Sequence, residues 1–329
     1  MNARVKGDEG SPAVEGRGGV SSGEASRDAM DRRGAVPGEV AGPVVGRREV
    51  ERGELAGPEA GRRGMEPREL GRAEAGRREM EPGEAARAAA TPRVLRHSDR
   101  VAGLDWARLS SDLDSQGSAV VARLLEPEEC RSLAALYPQG SRFRSRVVMG
   151  RHGFGRGEYK YFTYPLPDTV NQLRTALYPR LAPIANRWNE SLGIEVRYPA
   201  QHAEFLARCA QAGQTRPTPL LLQYEAGDYN CLHQDLYGEH VFPLQIAILL
   251  SEPEKDFTGG EFVITEQRPR MQSRPEVVPL RQGDAVVFAV HHRPVRGTRG
   301  MYRVNLRHGV SRVRSGHRHT LGIIFHDAK

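Results

Sequence analysis

His233-Gln234-Asp235 is followed, seventy-three residues after its carboxylate, by His308, and ten residues later by Arg318. Two imidazoles and one carboxylate can hold one face of a ferrous ion and leave the opposite positions open for a cosubstrate and O2. His233 and Asp235 are two apart, so on extended chain both side chains project to the same face and can meet one ion. His308 must then arrive from a neighbouring strand. Arg318 and Thr320 also share a face, and a guanidinium beside a hydroxyl suits the carboxylate of an anionic cosubstrate. His291 and His292 are rivals for the third ligand position, but they sit in His-His-Arg-Pro, which reads as a turn. His317 and His319 flank Arg318 and should face away from it, as surface or supporting groups. Cys231 reads as a small buried hydrophobe and not as a thiolate ligand.

The elements that must position these groups are mostly strands. After Thr218 the chain breaks into short apolar or alternating runs at 219–225, 242–250, 261–265, 276–280, 285–290, 302–308 and 318–325. Turn residues separate them, which predicts a closed or double-sheet β architecture. Upstream, Ser118–Leu125 reads as a strand leading to a helix that opens at Glu126-Pro127-Glu128-Glu129. Strands at 142–149 and 158–164 flank a glycine-rich turn. Two helices follow, Asp168–Leu192 with a break at Pro179 or Pro183, and Pro199–Ala212.

Composition divides the 329 residues sharply. Residues 1–90 contain no Phe, Trp, Tyr, Cys, His or Ile, so they cannot bury enough apolar surface to offset the entropy of ordering, and disorder is expected. Arginine pairs recur there every fifteen residues, at Arg32, Arg47, Arg62 and Arg77, in a low-complexity repeat that lacks the apolar positions a solenoid would stack. Acids balance bases in this tail, so the net charge of +7 belongs to the remainder, and a basic surface favours polyanions such as nucleic acid. The expected organisation is a tail at 1–90, a helix-and-strand support with a substrate lid at 91–217, and a catalytic core at 218–329, the last two forming one folded domain. Three scattered cysteines give neither a disulfide framework nor a C-x-x-C metal pair. No run is long and apolar enough to span a membrane, and the start lacks a secretion-signal stretch, so a cytoplasmic, soluble protein is the expectation.

The ordered set of motifs resembles the Fe(II)/2-oxoglutarate-dependent dioxygenases. Its parts are Tyr224 through Asp235, Thr258-Gly259-Gly260-Glu261, Gly283-Asp284 before an apolar run, and His308 with Arg318 and Thr320. The resemblance implies an α+β fold around a double-stranded β-helix, of jelly-roll or cupin-like type, with N-terminal supporting helices. It implies Fe(II) held by His233, Asp235 and His308, and 2-oxoglutarate held by Arg318 and Thr320. It also implies O2-dependent oxidation of an unactivated C–H bond, with succinate and CO2 released.

The interval from Tyr224 to His233 and the tripeptide His-Gln-Asp are similar to AlkB-type nucleic-acid demethylases, where the tyrosine contacts 2-oxoglutarate. The chain departs from that pattern at Leu222, where asparagine is expected, and in its short interval from His308 to Arg318, which looks like prolyl hydroxylases. A closer resemblance, over about 115–328, is to a bacterial oxygenase family assigned to oxidative demethylation of damaged DNA bases. Cys231–Gly238, Thr265–Gln272 and Arg318–His326 carry it. Basic and aromatic residues interleave between Arg142 and Tyr164, as phosphate contacts and base stacking require, and an ordinary pair of strands with a solvated basic face reads equally well. Arg146, Tyr159, Tyr161 and Tyr237 are the candidates for substrate contact. The implied activity is demethylation of alkylated bases in DNA or RNA with release of formaldehyde. The alternatives are a prolyl, peptidyl or small-molecule hydroxylase, or a non-catalytic sensor of 2-oxoglutarate or DNA.

Overall fold

In the computed structural model, residues 96–236 and 238–329 are described. The 1–90 tail with its repeat, and Tyr237, lie outside the described residues. Helices α1 (His97–Ala102) and α2 (Trp106–Gln116) come first. The Asp105 carboxylate accepts from the Arg108 amide to start α2, and Gly117, at φ +79°, ends it in the left-handed conformation that glycine adopts without strain. Strand β1 (Ser118–Val121) leads to α3 (Pro127–Ala134), which opens at the expected acidic run. There Glu126 and Glu129 form a reciprocal capping box around Pro127.

Strands β2 (Phe143–Val148), β3 (Gly155–Arg156) and β4 (Glu158–Phe162) precede α4 (Asp168–Ser191) and α5 (His202–Gln211). The predicted break in α4 is absent: one helix runs through both Pro179 and Pro183. Val170, Leu173, Leu177, Leu181, Ile184 and Trp188 lie at helical spacing and are buried in the main core. Six such side chains at about 1.5–3 kcal/mol each outweigh about 3 kcal/mol per proline.

The remaining strands are β5 (Leu220–Glu225), β6 (Tyr229–His233), β7 (Leu244–Leu249), β8 (Phe257–Gly259) and β9 (Phe262–Gln267). After them come β10 (Arg274–Val278), β11 (Ala285–Ala289), β12 (His292–Gly297), β13 (Gly300–Val310) and β14 (Val313–Ile323). They pair antiparallel into two sheets. The larger runs β1-β11-β7-β14-β5-β4-β2, with β8 added on β14, and the smaller runs β10-β9-β13-β6-β3, with β12 added on β13. This is the double-stranded β-helix with its supporting helices. All six residues of β7 are buried because the strand sits inside the larger sheet with both faces covered. The expected lid strands β2 and β4 continue that sheet beyond β5, so it spans both sides of residue 217.

His292-Arg293-Pro294 is strand and not the expected turn. It forms β12, a partner of β13 alone, and an outer position of this kind tolerates proline. Gly283 and Asp284 prove architectural. Gly283 has φ +82°, and a Cβ there would lie 2.1 Å from the Leu125 carbonyl oxygen. The Asp284 carboxylate accepts from the Arg123 and Arg281 amides at 2.8 and 2.9 Å, tying the approach to α3 onto β11. No helix among the described residues is long and apolar enough to cross a membrane.

Candidate active site

His233 ends β6, and its Cα partner across the ladder is His308 on β13. Just beyond, Gly309 lets the two strands close in, since a Cβ there would sit 2.6 Å from the Asn230 carbonyl oxygen. The imidazole centroids are 4.2 Å apart. Asp235 reaches both rings, with Oδ1 3.4 Å from His233 Nε2 and Oδ2 3.5 Å from His308 Nε2. One ligand atom from each of the three residues lies within 4.8 Å of the others. The His233 Nδ1–H group donates to the Cys231 carbonyl at 2.8 Å, which turns Nε2 toward the cluster as a lone-pair donor.

Burial would raise the Asp235 carboxyl, but the two imidazoles outweigh it and hold it well below the usual carboxylate range. Burial also works against a charged His233, yet the Asp235 carboxylate and the Cys231 carbonyl leave that ring above its ordinary value. His308 is depressed by burial, and its Nδ1 is buried without a hydrogen-bond partner among the described residues. Two nitrogen donors and an ionised carboxylate converging in this way fit a divalent first-row metal such as Fe(II). His291 and His292 are not in the cluster, and their Nδ1 atoms lie 2.7 Å from each other. Cys231, expected to be buried, is exposed on the short, polar β6 strand.

Arg318 lies on β14 opposite Tyr224 of β5 and is 1% exposed. Its Nη1 donates to Thr320 Oγ1 at 2.6 Å, Nε has no partner, and no carboxylate forms an ion pair with it among the described residues. Glu261, the acid that acts on it through space, is hydrogen-bonded to Ser311. Burial depresses Arg318 to about 10, so it remains a cation at neutral pH, in contact range of the Tyr224 and Phe257 rings at 5.5 and 5.8 Å. Burial pushes the Tyr224 hydroxyl up to about 12. Gly260 makes room for the guanidinium stem: a Cβ there would lie 2.9 Å from Arg318 Cδ.

One cavity of about 210 Å3 joins the two groups, lined by His233, Asp235 and His308 together with Arg318, Thr320 and Tyr224. Leu222 also lines it, at the position where the AlkB pattern carries asparagine, and its Cα partner is Thr320. Tyr159 and Tyr161 form an aromatic wall, edge to face at 5.4 Å, and Phe154 stands beside them half exposed. Arg146 does not line the cavity. Strand alternation puts it opposite Lys160, on the face of β4 where Glu158 binds it, away from the two tyrosines. His317 is exposed, and His319 packs edge to face on Tyr137.

Sequence reasoning missed Gln245, a buried amide on β7 that lines the cavity with its Nε2 unpartnered among the described residues. A lone polar residue inside the apolar run Leu244–Leu249 was the available signal. Of the arginines near His308, Arg293 is structural, 3% exposed and paired with Glu266, whereas Arg303, Arg307 and Arg314 are exposed.

An uncharacterized protein of Mycobacterium tuberculosis is 50% identical over 182 residues, which cover 54% of this chain and 78% of that protein. Among solved structures, a prolyl-4-hydroxylase of Pseudomonas putida is similar at 15% identity and a TM-score of 0.41, over 68% of this chain and 99% of its own. A 2OG-Fe(II) oxygenase family oxidoreductase of Burkholderia pseudomallei is similar at 16% identity and a TM-score of 0.42, over 69% and 94%. The chain is an oxygenase, an oxidoreductase. The family model described as "Oxygenase, catalysing oxidative methylation of damaged DNA" matches residues 157–328, a span that holds every residue of the cavity described above except Phe154, and the chain belongs to that family.

Proposed function

We propose that this oxygenase removes methyl groups from N-alkylated bases in DNA or RNA, with His233, Asp235 and His308 as the iron ligands. Arg318 and Thr320 grip the distal carboxylate of 2-oxoglutarate, with Tyr224 at their side. Iron bound there, with 2-oxoglutarate and O2, supplies the oxidation of a methyl C–H bond, coupled to formation of succinate and CO2. The resulting N-hydroxymethyl group breaks its C–N bond, returning the proton and electron pair to the base and leaving formaldehyde.

The observation that carries the reading is the meeting, in one cavity, of a two-histidine, one-carboxylate cluster and a buried arginine without an anion. An unpaired buried charge costs several kcal/mol unless a ligand supplies the counter-charge, and a dicarboxylate that also reaches the metal does so. Support for a base as substrate comes from the family description and from the Tyr159–Tyr161 wall, which suits stacking of an extruded ring. Tyr237 stands in the same proposal from sequence alone. The organisation into a tail, a support with its lid, and a catalytic core belongs to the proposal as well, as does a cytoplasmic site of action.

The test is anaerobic loading with Fe(II) and 2-oxoglutarate, followed by O2 and a panel of methylated oligonucleotides and proline-containing peptides. Formaldehyde and succinate in equal amounts from an oligonucleotide are the expected products. Hydroxylated peptide without formaldehyde assigns the chain to peptidyl hydroxylation instead. Absence of turnover with every substrate, with 2-oxoglutarate still bound, supports a sensor.

A further inference from the structure

Gln234 sits between two of the proposed ligands and lines the same cavity, and its side-chain amide is spent on the backbone of Leu306 and His291. Its Nε2 donates to the Leu306 carbonyl at 2.7 Å and to the His291 carbonyl at 3.2 Å. The place where those two carbonyls meet gives this contact its meaning.

On one edge of β13 the neighbouring strand changes. From Gly300 to Asn305 that edge is paired with β12, the last register pair being His292 with Asn305. From His308 onward β6 takes over, the first pair being His308 with His233. Leu306 lies in the gap between the two partners. The amide and carbonyl of one strand residue point to the same side, so both groups of Leu306 face this gap. Its amide is satisfied by the His291 carbonyl at 2.8 Å. Its carbonyl has no β6 residue in ladder register, because β6 ends at His233.

The Gln234 amide takes that carbonyl, and the His291 carbonyl with it. A side chain thus completes the rung that the main chain leaves out, two residues from His308 and next to both His233 and Asp235. His291 follows β11 of the other sheet, whose Phe288 ring lies 4.5 Å from the His308 ring. With the rung made by a side chain, residues 234–236 leave the ladder and yet stay fastened to the strand that bears His308.

We infer that Gln234 is a positioning residue that fixes the His233–Asp235 segment onto the His308 strand and so sets metal affinity. The inference rests on the reading of those three residues as metal ligands. Removal of a group that orients a ligand costs about 10- to 100-fold in metal affinity. Gln234→Leu keeps bulk without a donor, and Gln234→Glu keeps shape while setting a carboxylate against two carbonyls.

The experiment is Co(II) titration of the full chain, followed by ligand-field absorption, with thermal unfolding of the metal-free proteins alongside. Wild type binds one Co(II), and Gln234→Leu and Gln234→Glu bind it about 10- to 100-fold more weakly with an altered ligand-field spectrum. Asn305→Ala, an exposed neighbour on the same hairpin, binds as wild type does. If Gln234→Leu does not fold, Gln234→Glu carries the test. Affinity within two-fold of wild type and an unchanged spectrum in the folded variant overturn the inference, as does an equal loss in Asn305→Ala. A wild type that takes up no Co(II), or a His308→Ala protein that binds it as tightly, overturns the ligand assignment beneath.

Discussion

Two arginines in this molecule are equally buried, each 1% exposed, and they are built in opposite ways. Arg174 of α4 stands in the support behind the C-terminal segment, where Nε donates to the Ile324 carbonyl at 2.8 Å and Nη1 to the Tyr164 hydroxyl at 3.0 Å. Its Nη2 meets the His326 carbonyl at 3.1 Å and the Asp327 carboxylate at 2.8 Å. Arg318, on the cavity wall, has the Thr320 hydroxyl and two aromatic rings for company, and no carboxylate bonded to it among the described residues. Burial is therefore no mark of function by itself. What separates the two is the unspent capacity of the guanidinium, which at Arg174 is used up within the fold and at Arg318 is left for a ligand.

Five substitutions and a titration can break this contrast. Arg174→Met leaves Asp327 buried without its cation and is expected to cost about 3–5 kcal/mol of folding stability, read by urea denaturation. Arg318→Met is expected to leave stability unchanged or higher, because it removes a buried charge with no counter-ion. Its cost falls on 2-oxoglutarate binding, about 2–5 kcal/mol, or roughly 30-fold to several thousand-fold in Kd by calorimetry. If both variants lose stability alike, Arg318 is a structural arginine and the contrast fails.

The support should also respond to acid. Burial depresses His202 and His326 to about 4, and as neutral rings the first bonds the Phe325 carbonyl and the second accepts from the Phe242 amide. An unfolded histidine titrates near 6.5, so between those limits the unfolded chain binds more protons than the folded one. Stability is thus full above about pH 6.5 and falls as the pH drops toward 4, by roughly 3 kcal/mol per ring at most. His202→Gln should flatten that slope, and an unchanged slope would count against neutral burial of this ring.

Smaller effects separate the two faces of β4. Tyr161→Ala is expected to weaken binding of a methylated oligonucleotide by about 1–3 kcal/mol while 2-oxoglutarate affinity holds. Arg146→Ala, on the opposite face, should leave stability and substrate binding close to those of wild type. An Arg146 effect as large as that of Tyr161 would mean that the polyanion crosses the face where Glu158 now holds the arginine.

The sequence made the ligands legible through a two-residue spacing, which strand pleating ties to one face for Arg318 and Thr320 on β14, whereas Asp235 lies past the end of β6 and reaches the cluster from outside the ladder. The two sheets were foreseeable from the short apolar runs, but β6 and β12 were not. β6 is short, polar and partly exposed, and β12 carries Arg and Pro at a position paired on one side only, so neither shows apolar alternation. Pro179 and Pro183 misled for a related reason: a local rule was overridden by the burial of a long helix face. The separation of Arg146 from Tyr159 and Tyr161 was hidden because basic and aromatic residues alternate along the chain, and only strand pairing reveals which face meets the cavity. Likewise, sequence alone could name Arg318 but could not show that it lacks an anion.

The most direct test of the account is succinate formation from 2-oxoglutarate by Fe(II)-loaded wild-type and Asp235→Ala proteins under O2, with a methylated oligonucleotide present. Wild type should form succinate and formaldehyde together, and Asp235→Ala should form neither while still folding. Succinate that persists in Asp235→Ala would contradict the assignment of His233, Asp235 and His308 as the iron site.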